Sequence, residues 1–203
     1  MILFDDLLPD LLVDVDGCPE LTAISHLRRA ARAFCEQTHV WTVTLDPFQT
    51  QTGVAGYVLA LPDGASVVRI SQADVGDDRK VDLLDVEDAR SAQSTGRQRP
   101  YVWFHAGQFF IGPVPTRAVP VTLQLSLKPS TAAEGLPDWI AEDHAETLRE
   151  GAKQTLFAMA KKDWTDLTAA QVAAERFGAA CNAAAFNKTK GQAKIRRRRP
   201  TMY

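Results

Sequence analysis

Cysteine is scarce and scattered: Cys18, Cys35 and Cys181 are the only three in 203 residues. An odd, widely spaced set fits a reducing compartment better than a disulfide framework, and its spacing matches no metal motif. No apolar run reaches the roughly eighteen residues that a membrane-spanning helix needs. The opening residues Met1 to Leu12 carry Asp5, Asp6 and Asp10 and no Lys or Arg, the reverse of a secretory leader, so no signal peptide is expected. Catalytic signatures are missing too. The chain has no glycine-rich phosphate loop, no Gly-x-Ser-x-Gly and no His-Glu-x-x-His. Its four histidines, His26, His39, His105 and His144, fall in different predicted elements. His144, among Glu142, Asp143 and Glu146, reads as a lone surface histidine, and His105 as a turn residue. Asp14-Val15-Asp16-Gly17 lacks the remaining ligands of a calcium loop. The acids from Asp77 to Asp88 read as a solvated edge. A non-enzyme without cofactor or bound metal is the expectation.

What is present is ordinary in bulk and uneven in detail. Hydrophobic residues make up 45 % and charged residues 24 %, as in globular chains. The net charge of −2 conceals an asymmetry. Seven of the 23 basic residues lie in 188–203, with no acid among them: Lys188, Lys190, Lys194 and Arg196, Arg197, Arg198 and Arg199. The other 187 residues hold sixteen basic and 25 acidic residues, a balance of −9. A basic end on an acidic body points to docking on nucleic acid or on an acidic protein surface.

Periodicity divides the rest. Residues 1–17 read as an extended arm. Pro19 opens a helix to about Thr38, with Ile24, Leu27, Ala31 and Phe34 as its stripe and Arg28, Arg29, Arg32 and Glu36 as a solvated face. Strand-like alternation follows: Trp41–Leu45, Gly56–Leu61 and Ser66–Ser71 around the turn Leu61-Pro62-Asp63-Gly64, then Lys80–Val86. Ser91–Gln98 reads as a polar loop. A hairpin spans Tyr101–Phe104 and Phe109–Ile111, and its Trp103, Phe104, Phe109 and Phe110 read as sandwich core in preference to a base-stacking platform. Val119–Leu127 sets Val121, Leu123, Leu125 and Leu127 on one face.

From Leu136 to Ala185 the period is helical again. Ile140, Leu148, Leu156 and Met159 share one face. Thr168 and Gln171 have the form of a capping box for a second helix, with Phe177 on its apolar side. The predicted architecture is α+β. Residues 1–39 and 129–187 form a three-helix bundle, the N-terminal helix plus the C-terminal hairpin. Residues 40–128 form an inserted small antiparallel β-sandwich or barrel, and 188–203 an extended basic C-terminal tail. The expected bundle core is Ile24, Leu27, Phe34, Ile140, Leu148, Leu156, Met159 and Phe177.

Several of these stretches, taken in order, resemble the phage head–tail adaptor family of the tail tubular protein A type. They are Leu8-Pro9 through Gly17-Cys18-Pro19, Arg28 to Cys35, Trp41, Leu61-Pro62-Asp63-Gly64, Leu136-Pro137-Asp138-Trp139, Gly151-Ala152, Trp164-Thr165-Asp166 and Arg176-Phe177. The family's tail ends in arginine and phenylalanine, and this chain differs there. The resemblance implies a structural protein of the virion neck, present in the host cytoplasm during assembly. Such proteins form a ring, twelve-fold in the family, between the portal protein and the tail nozzle protein. Genomic DNA passes through the lumen without sequence-specific binding, and no membrane is involved. On this reading Lys188, Lys190, Lys194 and Arg196 to Arg199 dock on the portal, with Met202 and Tyr203 filling an apolar groove there. The alternative is a DNA-binding or packaging accessory protein that grips phosphates with the same residues.

Overall fold

The computed structural model describes residues 1–190. Its N-terminal stretch is not an extended arm. After β1 (Ile2–Leu3) comes a 3-10 turn, Phe4–Leu7, and then α1 (Leu8–Asp14). Phe4, Leu8, Leu11 and Val15 recur at helical steps of four, three and four, and all are buried. Pro9 sits in the first turn, where its missing N–H costs no bond. A turn through Gly17, φ 76°, leads to α2 (Glu20–Thr38). Its end is marked by His39 at φ 51°, whose N–H donates to the carbonyl of Cys35.

The middle of the chain holds short strands. They are β2 (Thr42–Thr44), β3 (Phe48–Gln49), β4 (Gly56–Tyr57), β5 (Ala65–Val75), β6 (Asp82–Leu83), β7 (Tyr101–His105), β8 (Gln108–Gly112), β9 (Pro120–Pro129) and β10 (Gly135–Leu136), with α3 (Val86–Ser94) between β6 and β7. In one sheet β9 is central, with β5 along one edge and β2 and β3 along the other. A second sheet runs β4-β8-β7-β6, and β1 pairs with β10 as a third. Among the described residues no sheet closes into a barrel. Nor is the pairing wholly antiparallel, since β6 lies parallel to β7 with Asp82 opposite Tyr101.

The polar stretch expected as strand and loop contains α3. Asp85 caps it, its carboxylate accepting from the Asp88 N–H at 2.8 Å. Glu87 and Asp88 sit in its positive first turn. Ala89 and Ala92 are buried beside Tyr101 and Trp103, so the local acids serve a helix end. The hairpin aromatics divide: Phe109 is fully buried in the main core, while Trp103 stacks on Tyr101 at 5.8 Å and on Phe110 at 5.2 Å.

α4 (Asp138–Phe157) and α5 (Leu167–Lys190) close the described chain. The cap of α5 is Asp166, not Thr168: its carboxylate accepts from the N–H groups of Thr168 and Ala169, both at 2.9 Å. α5 continues to Lys190, so Lys188 to Lys190, read as the start of the tail, are helical. α2, α4 and α5 pack on one another. At Gly151 of α4 an added Cβ would stand 2.7 Å from the Phe177 ring and 2.9 Å from Ala30. α2 also packs on β9, whose Val121, Leu123, Leu125 and Leu127 are fully buried. One buried cluster therefore runs from the helices into the sheet.

Candidate assembly surfaces

Among the expected core residues, Leu27, Phe34, Ile140, Leu148 and Leu156 are fully buried and Phe177 nearly so. Ile24 and Met159 are only partly buried, and Met159 lies beyond the end of α4. The covered face of α2 is rotated toward Ala23 and Ala30, small residues that let α4 come close. The arginines of α2 do not form a solvated face. Arg28 donates from Nε to the Ala133 carbonyl at 2.7 Å and lies 5.7 Å from the Phe4 ring centre. Arg32 donates to the Pro129 carbonyl at 2.9 Å. Together they fasten the end of β9 and the segment that follows it to the helix, while Arg29 is exposed.

The C-terminal end of α5 borders a groove of about 550 Å³ lined by Val40, Trp139, Asp143, His144, Ala184, Asn187 and Lys188. Trp139 is 44 % exposed there. His144 is not a lone surface histidine: its ring lies 4.7 Å from that of Phe34. Burial pushes its pKa below the ordinary 6.5, against the pull of Asp143. Across the groove the Lys188 ammonium donates to the His39 carbonyl. Burial, and then Arg69, lower the Lys188 pKa. His39 is lowered by burial, with Arg69 and Lys188 adding to it, and its Nδ1 meets the Ser126 hydroxyl at 3.2 Å. Of the basic residues expected to dock, only Lys188 has a described side chain. Lys190 ends the helix, and Lys194, Arg196 to Arg199, Met202 and Tyr203 lie outside the described residues.

A second surface comes from the N-terminal segment, residues 1–17. Asp10 pairs with Arg149 at 2.6 Å and Asp14 with Lys153 at 3.0 Å, which ties α1 to α4. Lys153 also pairs with the buried Glu150. Burial disfavours the Lys153 charge, but the hydrogen bonds it donates to Glu150 and Asp14 outweigh it and raise its pKa. Between α1 and α2 a groove of about 390 Å³ is lined by Leu8, Pro9, Leu12, Leu21 and Ile24 with Asp5 and Glu20. Leu21 and, nearby in sequence, Val13 are each 82 % exposed. Sequence reasoning missed this surface. The helical spacing of Phe4, Leu8, Leu11 and Val15 was the signal that would have found it.

Burial pushes Cys35 up to about 12 and Cys181 up to about 11, so both are thiols packed in the interior. No helix among the described residues is long and apolar enough to cross a membrane. The sequence model of one protein family, described as SU10 adaptor protein, matches residues 3–202. No curated protein matches the chain.

Proposed function

The chain belongs to the SU10 adaptor protein family, a phage adaptor family, and from that premise we propose that it forms a ring joining the portal to the tail nozzle. The observation that carries this reading is the extent of the family match, which covers nearly the whole chain. The ring extends the DNA channel below the portal, with twelve copies as its closed number, in the neck of the virion. The finer architecture proposed with it is a bundle of α2, α4 and α5 carrying the β segments as an insertion. Large apolar side chains left in water, Leu21, Trp139 and Leu167 among them, support a protein that completes its packing against neighbours. Ring closure uses heterologous contacts, so each copy must present two different, complementary surfaces. The basic segment that begins at Lys188 is the docking arm for the portal. Arginine suits this role because its planar fork gives a carboxylate two hydrogen bonds.

The test is analytical ultracentrifugation of the purified protein with and without its portal. Alone it sediments as a monomer or weak oligomer, because early closure would block ordered assembly. With portal, at roughly micromolar concentration, it moves into one large complex, since standard interfaces of this kind reach such affinities. No change in sedimentation on adding portal would count against the reading.

The charge of the C-terminal segment also favours a second reading, a packaging accessory protein that holds DNA phosphates. Its mark is a gel shift that weakens steeply as salt rises.

A further inference from the structure

The groove between α1 and α2 has a chemistry that names its occupant. Leu8, Leu12 and Ile24 line it, and Leu21 stands beside them 82 % exposed. Asp5 and Glu20 flank these apolar residues, and neither has an ion-pair partner among the described residues. Asp10 and Asp14, close by in sequence, are already held by Arg149 and Lys153. The fitting ligand is a short segment with several cations beside apolar side chains. The chain has such a segment after Lys190. Residues 191–203 hold Lys194 and Arg196 to Arg199, no acid, and the apolar Ile195, Met202 and Tyr203.

We propose that the α1–α2 groove is the seat of residues 191–203 of a second copy of this chain. The inference rests on the docking-arm reading of the C-terminal segment and gives that arm an acceptor on a neighbouring copy in addition to the portal. Arginines pair with Asp5 and Glu20, and an apolar side chain from either end of the arginine run covers Leu12 and Leu21.

Geometry favours the neighbour over the same copy. The described part of α5 ends at Lys190, and Lys188 rests on the carbonyl of His39, just past the last residue of α2. The groove lies at the opposite end of α2, at Glu20 to Ile24. A nineteen-residue helix is about 28 Å long. An extended chain covers about 3.3–3.6 Å per residue, so the segment would use about eight of its residues to reach its own groove. Arg196 and Arg197 would then fall short of Asp5 and Glu20, leaving only the last two arginines of the run to pair there. The segment of an adjacent copy has no such limit.

The experiment is sedimentation velocity of the full chain over a concentration series, without portal and at low salt. The parent forms a weak oligomer, short of a closed ring, as concentration rises, and added salt weakens it. The double variant Asp5→Lys/Glu20→Lys weakens self-association roughly tenfold, as does replacement of Arg196 to Arg199 by Glu. Combining the two sets restores it, because the charges are exchanged. Leu21→Ser weakens it without changing charge. An unchanged melting temperature identifies variants that remain folded, and all the substituted residues within the described part are exposed. A parent that stays monomeric throughout, or an exchange of charges that fails to restore association, overturns the proposal. Portal binding separates it from the reading beneath it. Asp5→Lys/Glu20→Lys leaves portal binding intact, so its loss of self-association bears on the groove alone. A portal that binds the Arg-to-Glu variant as well as the parent refutes the docking arm.

Discussion

At the scale of single residues, buried partners decide how charged and titratable groups behave. Arg28 and Arg32 look like solvent-facing helix residues, yet each gives its guanidinium to a main-chain carbonyl, Arg28 just before β10 and Arg32 at the end of β9. Three histidines share one tendency. Burial lowers His26, His39 and His144 below the ordinary 6.5, and Arg29 adds to the effect at His26. His26 also lies 2.6 Å from the Thr155 hydroxyl of α4. The native state therefore keeps these imidazoles neutral where the unfolded chain takes up protons. Their contribution is fully present above about 6.5 and is lost as pH falls from there through the lower folded pKa values. The melting temperature should decline between about pH 7.5 and about pH 5.5, before most carboxylates titrate. His144→Gln and His26→Gln should each flatten that decline, even if they lower the melting temperature at the alkaline end. Parallel pH curves for parent and both variants would show that these histidines are not responsible.

At the scale of elements, the close meeting of α2, α4 and α5 depends on one missing side chain. Gly151 costs α4 some helix propensity, but a methyl there would press on the Phe177 ring and the Ala30 methyl. Gly151→Ala should therefore destabilise the fold although alanine is the better helix former. The expected loss is about 1–3 kcal/mol, the usual cost of overpacking a tight core. A thermal or urea melt measures it, and a variant as stable as the parent or more so would mean that the helices can separate at no cost. α5 adds a second lesson. Its covered stripe is Ala170, Ala173, Phe177 and Cys181, while Leu167 and Val172 remain in water. The low contrast between its faces belongs to a helix with apolar residues on more than one side.

For the whole molecule, the C-terminal segment and the folded body are separable by truncation. The buried cluster among the described residues lies wholly before Lys190, so ending the chain there should leave the melting temperature within about 2 °C of the parent, a change of about 0.5–1 kcal/mol. The same truncation should abolish portal binding if the segment is the docking arm. If it is a phosphate grip, portal binding should survive and DNA affinity fall. Assembly of the truncated chain on DNA-free portal with unchanged affinity would exclude the arm.

What the sequence determined by itself is what repeats locally. Pro19 and the stripe through Leu27 and Phe34 mark α2, the alternation from Val121 to Leu127 marks β9, and the spacing from Ile140 to Leu156 marks α4. In each, one face is apolar over several turns or residue pairs, so neighbouring residues carry the signal. α1 was hidden because it is seven residues long and its helical spacing begins in the preceding 3-10 turn, at Phe4. α3 was hidden because its capping acids resemble a loop. Tertiary structure alone decided the rest. The carbonyl that Arg28 meets is 105 residues away in the chain, that of Arg32 is 97 away, and the acid that Lys153 shares with α1 is 139 away. The groove between α1 and α2 forms where buried Leu8, Leu11 and Val15 seat α1 on the core and Asp10 and Asp14 reach α4, contacts between segments that no local pattern connects.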